Sequence, residues 1–294
     1  MSERIIDPHV HFFNLVQGQY DWLQGNNPVP WPNLDTIKAP ISVNQLQHIS
    51  QFEIAGLVHI EAGFDNQHPI NELHWLAEHL SGHNYKAISF ANINSHPDDF
   101  NNAITALSHP SLVGIRDITE GADAMRLSDA TCHDNLALLA SKQLIFEAQF
   151  EVEKLTITQQ LINYCQQLPH LQLIINHAGL PNNLSIWQHG ISQLAQLPNC
   201  WIKFSGFELL TAQMQAQQQQ CFNFILQHFG QHRVMFASNF PVCQINASYQ
   251  QRWSLASRID KGSVSGLFYM KLRALWHSAG LVEVKMVSPG AASH

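Results

Sequence analysis

The feature that most constrains this chain is a cadence. Short β-rich runs occur at I-I-D (5–7), G-L-V-H-I-E-A (56–62), K-A-I-S-F-A-N-I (86–93) and V-G-I-R-D-I-T (113–119). Four more follow at L-I-F-E-A-Q-F (144–150), L-Q-L-I-I-N-H-A (171–178), W-I-K-F-S-G-F (201–207) and V-M-F-A-S-N-F-P (234–241). From the second run onward, successive starts lie 27 to 33 residues apart, the length of one strand, one helix and two loops. The intervening segments carry helical spacing: Ile70, Leu73, Ala77 and Leu80; Ile157, Leu161, Cys165 and Leu168; Phe222, Ile225, Leu226 and Phe229. Asp98, Asp99 and Thr131 stand where caps or first-turn acids belong. Eight strand–helix units predict an α/β fold of the (β/α)8 TIM-barrel type. An open doubly wound sheet is the alternative, because periodicity does not show closure. No G-x-G-x-x-G or G-K-[ST] element follows the first run, so nothing favours a nucleotide-binding fold.

Two stretches break the cadence. Residues 14–41, with Y-D-W-L and the P-V-P-W-P cluster, form a long insert after strand 1 that reads as a folded lid. After Pro241 a Gln-rich stretch leads to an expected C-terminal helix near 264–279, and the Ser-, Ala- and Gly-rich residues 287–294 read as a flexible tail. Residues 1–286 are expected to form a single domain. The Q-A-Q-Q-Q-Q run at 215–220 reads as a solvated helix face.

Composition removes several classes. Apolar residues make up 45% of the chain, enough for a large core, and charged residues only 13%. A formal charge of −7 gives no basic footprint for nucleic acid. No apolar run is long enough to span a membrane, and Met1-Ser2-Glu3-Arg4 does not begin a signal peptide. The expectation is a cytoplasmic protein without nucleic-acid or membrane partners. Cys132, Cys165, Cys200, Cys221 and Cys243 are odd in number, widely spread and without C-x-x-C, which suggests reduced packing residues. Cys243, just past the last run, is the one to follow.

In a parallel barrel, chemistry gathers at the C-terminal ends of the strands. His9 and His11 end strand 1, and in an extended chain residues i and i+2 share a face. With 18 histidines in the chain, about one such pair is expected by chance, so position decides its meaning. His59 and Glu61 fall on strand 2, Arg116 and Asp117 on strand 4, and Glu147 and Gln149 on strand 5. Asn176 and His177 end strand 6, Lys203 and Ser205 mark strand 7, and Ser238 and Asn239 end strand 8. Almost every strand delivers a polar or ionisable group to the same end.

D-P-H-V-H after strand 1, I-N-H-A-G-L-P after strand 6, K-F-S-G on strand 7 and M-F-A-S-N-F-P on strand 8 resemble the amidohydrolase superfamily. The likeness is to its amidohydrolase-2 branch, which includes sugar-acid and dicarboxylate lactonases. Y-D-W-L resembles the Y-x-W-L of those lactonases, and V-G-I-R their fourth strand. The resemblance implies a hydrolase with a mononuclear site. It makes His9, His11 and His177 the metal ligands, with zinc the expected divalent ion, and Arg116 a substrate-binding residue.

The chain departs from the pattern at strand 8, where Asn239 replaces the aspartate that ligates metal or serves as base. A neutral amide can neither take a proton from water nor offset a dication. Three neutral histidines can still hold zinc with an open position and lower the pKa of its water. Glu147, Glu61 or Asp117 could supply a base. Glu147 reads as catalytic or as ion-paired to Lys203 or Arg116, His59 as a substrate contact or a core histidine, and Lys203 as a substrate contact or a structural charge. Gln149 is expected to bind substrate.

The expectation is therefore a hydrolase of a small, acidic lactone or related cyclic ester or amide, with Asn239, Glu147 and Arg116 as its catalytic residues. The expected partner is a carboxylate-bearing small molecule, with a homodimer left open. Rivals are a metal-independent lactonase, a decarboxylase and a non-catalytic binding barrel. For the last, Asn239→Asp should create activity; a loss would give Asn239 its own task.

Overall fold

The computed structural model describes residues 4–50 and 52–253. Eight strands form one sheet in chain order, each parallel to the next. They are β1 (Arg4–Val10), β2 (Glu53–Ile60), β3 (Tyr85–Phe90), β4 (Leu112–Ile118), β5 (Ile145–Gln149), β6 (Gln172–Ile175), β7 (Cys200–Phe204) and β8 (Val234–Phe236). Each lies on one of the eight expected runs.

The ring closes by a short seam just beyond the last strand. Val10 bridges Phe240 in parallel fashion, the His11 amide donates to the Phe240 carbonyl at 2.7 Å, and the Asn239 amide donates to the His9 carbonyl at 3.1 Å. The Asp7 side chain reinforces it, accepting from the Ser238 amide at 3.1 Å and from the His9 amide at 3.3 Å. Burial pushes the Asp7 carboxyl up to about 6 against these bonds. An open sheet is thereby excluded. Pro8 has no N–H to give to the ladder, and the β1–β2 register shifts between Asp7 and Val10, as at a bulge.

Helices Ile70–His79, Pro97–Ala106, Thr131–Ser141, Leu155–Gln167, Leu184–Leu194 and Gln218–Phe229 follow β2 through β7. The expected helix near 264–279, the tail at 287–294 and the end of the proposed domain lie outside the described residues. The insert is a folded lid, as its composition suggested. Its ends are pinned by an antiparallel bridge between Phe13 and Ile41. Tyr20, Leu23, Leu34 and Ile37 are buried within it, and the Trp22 indole donates to the Ala62 carbonyl at 2.7 Å.

One helical stripe needs correction. In Ile70–His79 the buried residues are Glu72, Leu73, Trp75 and Leu76, whereas Ala77 is exposed. The reason is polar. Glu72 Oε1 accepts from the Ala62 amide at 2.9 Å and from His59 Nε2 at 3.0 Å. His59 Nδ1 in turn accepts from the Phe12 amide at 3.3 Å, which fixes its tautomer. Burial pushes Glu72 up to about 8 and His59 down to about 3, so the pair is neutral at pH 7. It ties the ends of β1 and β2 to the helix that follows.

A second buried pair crosses the barrel interior. Lys203 on β7 and Glu147 on β5 form an ion pair with both residues 1% exposed. They lie one inward-facing position deeper than Ser205 and Gln149 on their segments, beside a small cavity of about 20 Å³.

Two tests follow from these pairs. The folded Glu72 carboxyl titrates near 8 against an ordinary 4.5, so its contribution to stability is complete below the ordinary value and is lost as pH rises through the folded one. Glu72→Gln cannot ionise, so it should gain on wild type in urea unfolding between about pH 5 and pH 8.5. A difference independent of pH would mean that Glu72 is already charged. Lys203→Met strands a buried carboxylate and should cost about 3–5 kcal/mol, with Glu147→Leu/Lys203→Met recovering most of it. A single variant within about 1 kcal/mol of wild type would deny the pair its place in the core.

Candidate active site

His9 lies on β1 and His11 one residue past its end; His177 follows β6 in a turn of left-handed residues. That turn runs through His177, Ala178, Gly179 and Leu180, with φ of 50°, 55°, 70° and 51°, a conformation costly for non-glycine residues and held here by the packing around it. Gly206 is needed for the approach. Its φ is +80°, and a Cβ there would fall 2.6 Å from the Cβ of His177.

The three imidazoles meet. Ring centroids of His9 and His11 are 5.0 Å apart, and those of His9 and His177 are 4.7 Å apart. His11 Nδ1 donates to the Ile60 carbonyl at 2.8 Å, which leaves the Nε2 lone pair free. His177 Nδ1 pairs with Ser205 Oγ at 3.0 Å. Both ring nitrogens of His9 are buried without a hydrogen-bond partner. Burial holds all three rings well below the usual imidazole range; Lys203 adds to this at His9, and Arg116 at His11 and His177. Neutral imidazoles oriented by Nδ1 contacts, together with an orphaned pair of nitrogens, are the donor type a borderline divalent ion such as zinc takes. As placed, no three His, Cys, Asp or Glu side chains among the described residues stand ready to hold an ion. The donor set fits; the nitrogens do not yet converge.

Above the rings opens a cavity of about 750 Å³, walled by Trp22 and Trp31 of the lid and lined by His11, His177, Arg116, Gln149 and Asn239. Arg116 is nearly saturated. Its Nε donates to Glu61 Oε1 at 2.7 Å, its Nη2 to the Glu61 carbonyl at 2.8 Å, and its Nη1 to Gln149 Oε1 at 2.9 Å. Gln149 Nε2 continues the chain to Glu120 Oε1 at 2.7 Å. Glu61 also lines the cavity, its carboxyl pushed up to about 7 by burial against the pull of Arg116. Asp117 is held by Arg126 through two bonds of 2.8 Å and by the Ile93 amide at 3.0 Å.

Other expected site residues lie elsewhere. Glu147 and Lys203 line the deeper cavity, and the bonds of His59 point to Glu72 and Phe12. Cys243 is buried, its thiol pushed well up by desolvation, so it is no nucleophile at neutral pH.

Asn239 adopts φ +58°, a region asparagine tolerates better than most residues. Its Nδ2 donates at 2.6 Å to Oε1 of Glu208, which sequence reasoning passed over. Glu208 sits in the short turn Phe207–Leu209 after β7 and pairs with Arg252 at 3.2 Å. Burial raises its carboxyl, opposed by Arg252 and by the Asn239 bond. Its one signal in the sequence is an acid enclosed by F and L just beyond K-F-S-G.

The Amidohydrolase family profile matches residues 6–264. The chain is 24% identical over 293 residues to an L-fucono-1,5-lactonase of Burkholderia multivorans, covering 92% of each protein. Among solved structures it resembles amidohydrolase 2 of Bifidobacterium longum subsp. infantis, with a TM-score of 0.74 at 20% identity over 94% of this chain and 99% of that one. It also resembles a zinc-bound amidohydrolase of Burkholderia multivorans, with a TM-score of 0.72 at 20% identity over 94% of this chain and 96% of that one. At such identity the two structures speak for the fold, and the profile for the kinship. The chain is a hydrolase that belongs to the amidohydrolase family.

Proposed function

We propose that the mouth of this barrel hydrolyses the ring ester of a small lactone. The observation that carries the reading is a cluster of three neutral imidazoles from the ends of β1 and β6, in which His11 and His177 line one lidded cavity with Arg116 and Asn239 and the buried His9 ring packs against both. The lactonase relative named above supports the same reaction class. His9, His11 and His177 would hold one divalent ion, with zinc suited to the all-imidazole donor set. When bound, such an ion supplies a Lewis acid that polarises a carbonyl and acidifies water.

The protein's own groups account for the rest. Arg116, steadied by Glu61, and Gln149 orient the substrate's polar atoms. Trp22 and Trp31 cover the ring and exclude bulk water. Glu61, with Oε2 free of partners among the described residues and its carboxyl near 7, takes the proton released when water adds to the carbonyl. The ring C–O bond then breaks, and the proton returns to the departing alkoxide, giving a hydroxy acid. Glu147, Lys203 and His59 serve this site from below and behind, by holding the strands that carry its ligands.

A second reading concerns the substrate's charge. Arg116 would bind the carboxylate of an acidic lactone. Yet four acids, Glu61, Asp117, Glu120 and Glu151, line the cavity against two arginines, Arg116 and Arg126, and each arginine is already paired. That balance favours a neutral hydroxylated lactone.

A panel of neutral and carboxylate-bearing lactones, assayed by acid release at pH 7, decides between them. We expect ring opening by the wild-type protein and a loss in kcat/KM of about 10²–10⁴ in His9→Ala and His177→Ala. Chelation should abolish turnover and zinc restore it; turnover that survives chelation would leave a metal-independent lactonase. No acid release across the panel, or carbon dioxide released instead from an aromatic acid, would remove the lactonase reading.

A further inference from the structure

We propose that Glu208 is a positioning residue that locks the amide of Asn239, so that its oxygen and not its nitrogen faces the substrate. The proposal rests on the reading of the mouth as a hydrolytic site and adds a part to it. Asn239 stands at the end of β8, and its side chain has two chemically different ends. The end 2.6 Å from Glu208 Oε1 must be the NH2 group, because an ionised carboxylate only accepts. Arg252, 3.2 Å from Glu208 Oε2, opposes the burial that raises this carboxyl and favours its ionised form.

The lock is braced on every side. The Glu208 carbonyl accepts from Asn246 Nδ2 at 3.1 Å, and Asn246 Oδ1 accepts from Arg252 at 2.7 Å. Glu208 is 4% exposed, so water does not compete for it. Asn239 Oδ1 has no partner among the described residues, and Asn239 lines the mouth cavity. The free end is therefore an acceptor, made stronger by the charge-assisted bond at the other end. It can orient an attacking water or a substrate hydroxyl. It cannot take the proton. Asn239 is thus not a failed aspartate: an aspartate at this place would set two carboxylates where one hydrogen bond now stands.

The test is a carboxamide–carboxylate exchange, read in the full-length wild type, Asn239→Asp, Glu208→Gln and the double variant Asn239→Asp/Glu208→Gln. Melting temperature and kcat and KM on the lactone panel are measured for each. Asn239→Asp should melt about 5 °C lower, because a buried charged bond becomes a repulsion. It should also lose about a hundredfold in kcat, with KM little changed. In the double variant the two groups trade places. The carboxamide introduced at position 208 can donate through its NH2 group to the carboxylate introduced at position 239, while its oxygen accepts from Arg252. Melting temperature should therefore return to near wild type, and kcat should rise about tenfold or more over Asn239→Asp. Glu208→Gln alone can satisfy both Arg252 and Asn239 only by turning the Asn239 amide over, its NH2 group then facing the cavity, so it should melt closer to wild type than Asn239→Asp does and still lose kcat.

An Asn239→Asp protein that melts and turns over like wild type, or better, would overturn the proposal. So would a double variant no better than Asn239→Asp. Recovery of melting temperature without any effect of Asn239→Asp on kcat would make the pair purely structural and overturn it too. If the wild type opens no lactone, the proposed reaction fails, and the melting series alone decides whether Glu208 pairs with Asn239 as an ionised acceptor.

Discussion

The candidate site at the barrel mouth depends on the seam that joins β1 to the segment after β8. Two backbone hydrogen bonds and the buried Asp7 carboxylate hold that seam. Closure turns chain order into a circle. Without it β1 and β8 would lie at opposite edges of a sheet, and His9 would stand far from Asn239. With it, the carbonyl of His9 accepts from the amide of Asn239, and the rings of His9 and His177 meet across the axis. Asp7 thereby helps to hold the backbone that carries His9.

Charge is layered along the barrel axis. Lys203 and Glu147 occupy the deeper level, beside a separate small cavity. Arg116 and Glu61 occupy the rim, open to the cavity. Buried away from water, and with Lys203 and Arg116 nearby, the histidines are kept neutral and their lone pairs available. The ion pairs contribute specificity and field more than stability, because burial costs them much of what attraction returns. The neutral His59–Glu72 pair and the charged Glu208–Arg252 pair do comparable work on the outside, each fixing the backbone or amide that a strand end presents.

The fold was legible because a strand–helix unit has a characteristic length and each strand is rich in Val, Ile and Phe. The apolar pattern failed at Ala77, where the helix turns its buried Glu72 carboxyl against His59. The candidate site was legible wherever a residue ends a strand: His9, His11, His177, Arg116, Gln149 and Asn239 all reach or flank the mouth. Glu147 and Lys203 sit two residues earlier on their strands than Gln149 and Ser205, and a two-residue step moves a side chain one layer down the barrel. Strand membership alone does not separate the two layers. Glu208 was missed because it belongs to no strand and no recurrent motif, and acquires meaning only beside Asn239.

The sequence by itself determined the alternation of strand and helix, the polar cast of the strand ends and the exchange of carboxylate for carboxamide at position 239. Those properties are local, written in spacing and side-chain type. Only the tertiary structure decided which polar groups face the mouth, which neutralise one another in the interior, and which oxygen or nitrogen of Asn239 is left to act. These depend on partners drawn from different strands and turns, and the pairing of groups far apart in the chain is set by closure and packing rather than by composition.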